Sequence, residues 1–159
     1  MKTIDQWLEE YGESHRNKTN KLIHWICVPT IMFTVLGFFM AIPHGQIFSF
    51  MPNEVAFLAN WGGVALVLAA LFYLRLSLAM FLGMSLIALA MLYGAYQLDK
   101  VTTLWQVCLV VFVIAWIFQF IGHKIEGKKP SFFKDLQFLL IGPAWLLGFV
   151  YRKLGVRYS

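Results

Sequence analysis

The side chains of this chain that could bind a metal gather in two short stretches. The first runs H-R-N-K-T-N-K-L-I-H-W-I-C-V-P over residues 15–29, and the second runs Q-F-I-G-H-K-I-E-G-K-K-P over residues 119–130. Three of the four histidines, His15, His24 and His123, lie there together with Glu126. Imidazole nitrogens with a carboxylate suit Zn, Fe, Ni or Mn. Two or three histidines plus one carboxylate, with positions left open, make the ligand set of non-haem Fe(II) oxygenases, and the same donors suit Zn-dependent hydrolysis. These residue types leave both chemistries open. His123 and Glu126 are neighbours at i, i+3 if their helix continues that far. His15 and His24 are nine residues apart, on opposite faces of any continuous helix. They converge only if the chain breaks between them, and Asn17 to Asn20 is the expected break. Asn17, Asn20 and Gln119 are the polar candidates for orienting the ligands. A haem would need axial histidines inside paired spans, whereas these lie at the edges of apolar segments.

Each of these residues has a plainer reading on its own. A single interfacial histidine is commonly a hydrogen-bonded or solvated side chain. Glu126 has Lys124 and Lys128 beside it, and Arg16 and Lys18 suit lipid headgroups. Cys27 stands one turn from His24 and is a soft donor, yet buried free thiols are common. His44, between Pro43 and Gly45, reads as a loop residue. The aromatic-rich stretch with Trp105, Phe112, Trp116, Phe118 and Phe120 could line an acyl tunnel, although such residues more often face lipid or core. Only the arrival of three histidines and one glutamate at one place lifts the joint site above its parts.

The elements that must bring them there are membrane spans. Hydrophobic residues make up 60% of the 159 residues and charged residues 13%, against roughly a quarter charged in soluble domains. The net charge of +5 does not read as a nucleic-acid surface, because the basic residues sit beside apolar segments rather than in an aromatic-interleaved stripe. The expected fold is a single all-α integral membrane domain over residues 1–159, with four transmembrane helices at about 22–42, 55–74, 76–96 and 103–122. Residues 3–11 read as an amphipathic interfacial helix. Thr3 and Gln6 suggest a capping box, and Ile4, Trp7, Leu8 and Tyr11 share one face. That face is set against the bilayer or against the protein's own spans. Residues 136–150 are short for a span and interrupted by Gly142-Pro143, so a re-entrant or interfacial segment is expected. Four spans leave Lys100 alone on one side and put both termini with the remaining Lys and Arg on the cytoplasmic side. Cys27 and Cys108 fall inside spans, which argues against a disulfide framework.

The two stretches resemble the membrane-bound 2-hydroxy-fatty-acid dioxygenases. The resemblance is carried by Tyr11 and His15, by N-K-T-N-K-L-I-H-W-I-C-V-P over 17–29, by Q-F-I-G-H-K-I-E over 119–126, by Pro130, and by Gln137 with I-G-P at 141–143. Residues 31–113 match only as apolar spans. The resemblance implies a small membrane enzyme that binds Fe(II) through His15, His24, His123 and Glu126 and uses O2 to remove one carbon from a 2-hydroxy fatty acid. These four positions show no departure, but Gly148 and Arg152 stand where a further acidic ligand is expected. The chemistry agrees. A 2-hydroxy acid offers a hydroxyl and a carboxylate that chelate one metal in a five-membered ring. Its conversion to the shortened acid and CO2 releases four electrons, which one O2 accepts without 2-oxoglutarate. Arg16 or Lys124 could neutralise the substrate carboxylate. The expected location is a bacterial inner membrane, or the ER membrane in a eukaryote. A Zn-dependent lipid hydrolase and a non-enzymatic membrane scaffold or lipid-binding protein are the alternatives. Oligomeric state is left open.

Overall fold

The computed structural model describes residues 2–127 and 138–158, and every regular element among them is helical. The elements are α1 (Ile4–Gly12), α2 (Lys18–Ala41), a 3₁₀ turn (Asn53–Leu58), α3 (Trp61–Leu76), α4 (Leu78–Asp99), α5 (Leu104–Glu126) and α6 (Ile141–Leu154). Pro130 and Gln137, which help carry the resemblance, lie outside the described residues, as do positions 136 and 137 of the expected C-terminal segment.

Among the described residues three helices, α2, α4 and α5, are long and apolar enough to cross a membrane. The remaining expected span, the one at about 55–74, is a shorter apolar helix. It starts at Trp61 rather than near residue 55 because Asn53–Leu58 coils as a 3₁₀ turn and Asn60 then caps α3. The Asn60 side chain accepts from the N–H groups of Gly62 and Gly63 at 2.8 and 3.3 Å. The 16 residues of α3 rise about 24 Å, less than a hydrocarbon core of about 30 Å. Ser77 alone separates α3 from α4 and caps the latter through Met80 N–H.

Helix α2 is the hub. It packs against α3, α4, α5 and α6 and runs through Pro29 without losing its helical assignment. Its seam with α5 is held close by two glycines. A Cβ on Gly37 would collide with Cys108 Sγ, and one on Gly122 would collide with Asn20 Oδ1. These glycines mark the two ends of the seam, and only a missing side chain lets the helices approach so nearly.

Helix α1 has the expected capping box between Thr3 and Gln6. Its apolar face is turned inward: Ile4, Leu8 and Tyr11 are buried in one cluster with Trp145, Leu146 and Leu147 of α6. The stripe thus meets the protein's own core rather than lipid. The C-terminal segment differs from expectation in one respect. Gly142-Pro143 does not interrupt a helix but opens α6, where a missing N–H belongs to a turn whose N–H groups have no helical acceptor anyway. Residues 141–148 are all buried, and the 14 residues of α6 rise only about 21 Å. Two tyrosines tie this end to the hairpin: Tyr73 donates to the Leu140 carbonyl at 2.5 Å and Tyr151 to the Ala79 carbonyl at 2.7 Å.

Candidate metal centre

The break that lets His15 and His24 converge comes slightly earlier than expected. Helix α1 ends at Gly12, residues 13–17 form a turn, and Asn17 caps α2, so Lys18 to Asn20 already belong to the first turn of α2. The Asn17 side chain accepts from Thr19 N–H at 2.8 Å and Asn20 N–H at 3.3 Å. The turn folds His15 back over the start of α2, beside His24. His123 enters from α5, whose seam with α2 brings the two helix ends together. The ring centroids of His15 and His24 are 4.1 Å apart, those of His24 and His123 5.0 Å, and those of His15 and His123 5.6 Å. All three rings are buried, and one nitrogen from each lies within 4.8 Å of the other two.

Two of the rings are oriented by the backbone. His15 Nδ1 lies 2.6 Å from the Tyr11 carbonyl and His24 Nδ1 lies 2.9 Å from the Asn20 carbonyl. A carbonyl only accepts, so Nδ1 carries the proton in both rings, and in the neutral imidazole Nε2 is then the nitrogen with the lone pair. This is the arrangement by which proteins fix the tautomer of a ligating histidine. The His15 ring also stacks on Tyr11, with centroids 4.2 Å apart and planes 12° from parallel, and Trp145 packs 5.3 Å away. Trp145 is a site neighbour that the sequence reading did not single out. Its signal was its position two residues after the I-G-P motif.

Glu126 stands outside the histidine cluster. One carboxylate oxygen accepts from Arg16 N–H at 2.8 Å. The other accepts from Asn17 N–H at 2.9 Å and from the Asn20 side-chain amide at 3.0 Å. The same Asn20 amide donates to the Ser14 carbonyl at 3.1 Å. The carboxylate at the end of α5 therefore clasps the start of α2 and the residue that follows His15. A carboxylate at a helix N-terminus is favourably placed against the exposed N–H groups and the positive end of the dipole.

Gln119 lies one turn before His123 on α5, and its buried Oε1 meets no donor among the described residues. With His24, Tyr11 and Trp116 it lines a cavity of about 30 Å³. That is room for about one water molecule. The other candidates fall elsewhere. Arg16 and Lys124 are exposed. Cys27 is buried against Ile31, Ala115 and Trp116, outside the histidine cluster. His44 sits in the loop after α2 and packs on Phe48.

The family model described as "2-hydroxy-palmitic acid dioxygenase Mpo1-like" matches residues 1–154. The 2-hydroxy-palmitic acid dioxygenase MPO1 of Saccharomyces cerevisiae is 30% identical over 149 residues, covering 91% of this chain and 78% of the relative. No solved structure matches the chain. The family match includes the turn that carries His15 and both helix ends that carry His24 and His123, and on that match the chain belongs to the Mpo1-like family.

Proposed function

We propose that this protein is an Fe(II)-dependent dioxygenase of 2-hydroxy fatty acids, embedded in the bilayer and removing one carbon by cleavage between C1 and C2. The single observation that carries the reading is the convergence of three buried imidazoles, two of them with Nδ1 committed to backbone carbonyls. The name of the yeast relative supports the substrate class. In this reading His15, His24 and His123 are the metal ligands. Glu126 holds the His15 turn in place through Arg16 and Asn17, and Asn17 and Asn20 complete that clasp.

The donor set fits the group. Three neutral imidazoles leave the charge of a divalent metal uncompensated, which suits an anionic bidentate ligand such as a 2-hydroxycarboxylate. His15, His24 and His123 would hold Fe(II), which when bound would supply Lewis acidity and a relay for electrons between substrate and O2. The chain's own contribution is placement. Tyr11 and Trp145 keep the His15 ring in position and exclude water from it, and the Gln119 side chain offers a carbonyl oxygen to the substrate hydroxyl. The overall change balances as R–CH(OH)–COOH plus O2 giving R–COOH, CO2 and water, with four electrons passing from substrate to O2.

The test is metal content by mass spectrometry on anaerobically purified protein, wild type beside His123→Ala, followed by O2 uptake with 2-hydroxypalmitate. The expected result is near-stoichiometric iron lost in the variant, and turnover that requires both O2 and the 2-hydroxyl. Absence of metal from both samples, even after Fe(II) reconstitution, would sink the reading. An all-histidine set also suits catalytic zinc, so a second reading is a Zn-dependent lipid hydrolase. Product formation that continues without O2 would favour it.

A further inference from the structure

The cavity beside His24 has room for little more than a water molecule, so an acyl chain must lie elsewhere. A second cavity of about 450 Å³ lies between α2, α3 and α4, within the range of about 300–1,000 Å³ usual for ligand pockets. Its walls include Met32 and Phe39 of α2, Ala65 and Ala69 of α3, and Met84 and Ala88 of α4. Apart from Tyr73 and Ser85 the lining is apolar. No residue of α5 lines it, so the aromatic stretch of that helix does not form the wall of this cavity. The Tyr73 hydroxyl is already engaged with the Leu140 carbonyl. Leu139 lines both this cavity and the small one beside His24, and so stands between the histidine cluster and the apolar space.

We propose that this second cavity holds the acyl tail of the 2-hydroxy acid whose head is bound at the three histidines, with Leu139 as the residue that must turn aside to connect them. The inference rests on the 2-hydroxy-acid reading above and adds where the chain lies and what measures its length. Between His24 and Phe39, fifteen positions along α2, the helix rises about 22 Å. That exceeds half of a hydrocarbon core of about 30 Å, so the path suits a long-chain acid. The narrow wall is made of Ala65, Ala69 and Ala88, where any larger side chain would occupy tail space. The competing apolar groove, of about 160 Å³ between Trp25, Pro29 and Val150, meets the small cavity at Pro143 instead of Leu139, but it is smaller than the roughly 300 Å³ at which ligand pockets begin.

The experiment uses full-length protein in nanodiscs and 2-hydroxypalmitate carrying a photoreactive diazirine at its tail. Labelling within α2, α3 and α4 at the cavity wall, competed by 2-hydroxypalmitate and at least tenfold less by palmitate, is the expected result. Equal competition by palmitate would mean a groove for ordinary bilayer lipid and would overturn the proposal. So would labelling confined to Trp25, Pro29, Val150 or the outer faces of the helices, since Met32 and Met84 line both spaces. A second readout is affinity. Ala69→Leu and Ala88→Leu should each lower the preference for 2-hydroxypalmitate over 2-hydroxydecanoate about tenfold, and an unchanged ratio in both would also overturn it. If head-dependent labelling persists while no 2-hydroxy acid is turned over, the tail site stands and the oxygenase reading fails. If turnover proceeds but labelling lies elsewhere, the reverse holds.

Discussion

Both oxygens of Glu126 accept hydrogen bonds from N–H groups at the start of α2, and one of those groups belongs to the residue that follows His15. In the proposed reading its contribution is to the position of His15, whereas His24 and His123 would offer nitrogens to the metal directly. The two roles separate experimentally. Glu126→Gln leaves one acceptor and turns an NH₂ toward a donor, so a charge-assisted hydrogen bond at this partly exposed site is lost, at a cost of about 0.5–1.5 kcal/mol. The expected outcome is a lower melting temperature and metal retained with weakened affinity, read by thermal unfolding and by metal content after dialysis against a chelator. Complete loss of metal with unchanged melting temperature would instead make the carboxylate a ligand. The sequence made these residues visible through their types, and i, i+3 spacing placed Glu126 beside His123. It did not show that the carboxylate reaches across to the backbone of residues 16 and 17, because a backbone N–H carries no residue-type signal.

Helix ends decide how well the cluster is held, and here the seam between α2 and α5 matters most. Asn20 and Gly122 touch where the two helices close on the site. Gly122→Ala would drive a methyl group into Asn20 Oδ1, and overpacking of this kind costs about 1–3 kcal/mol. The expected outcome is separation of His123 from His24, with metal content falling by half or more while the protein still inserts. Metal content equal to wild type would show that the seam can relax without moving the histidine. The apolar helices were legible from run length, and α1 from its spacing and capping box. The start of α3 was not, because a 3₁₀ turn and an apolar helix share the same composition until Asn60 is recognised as a cap. Gly142-Pro143 was read as an interruption because the pair marks a helix start as readily as a stop, and only burial of residues 141–148 against α1 and its neighbours tells which.

Three long apolar helices and one of 16 residues leave the number of crossings to be measured. We propose the four-crossing arrangement with both ends cytoplasmic, in which the link between α4 and α5 faces the opposite side. Single cysteines at Lys100 and Lys124, placed in a background without Cys27 and Cys108, should label from opposite sides of sealed vesicles. Labelling from the same side would overturn the arrangement and, with it, the assignment of the histidine cluster to the cytoplasmic face. His15 and His24 leave the ribosome early, whereas His123 emerges only after α4 and most of α5 have been made. Under the proposed iron reading, a nascent chain holding the first two would offer only two of the three nitrogens. The order of the helices would then delay metal loading until α5 has closed on α2.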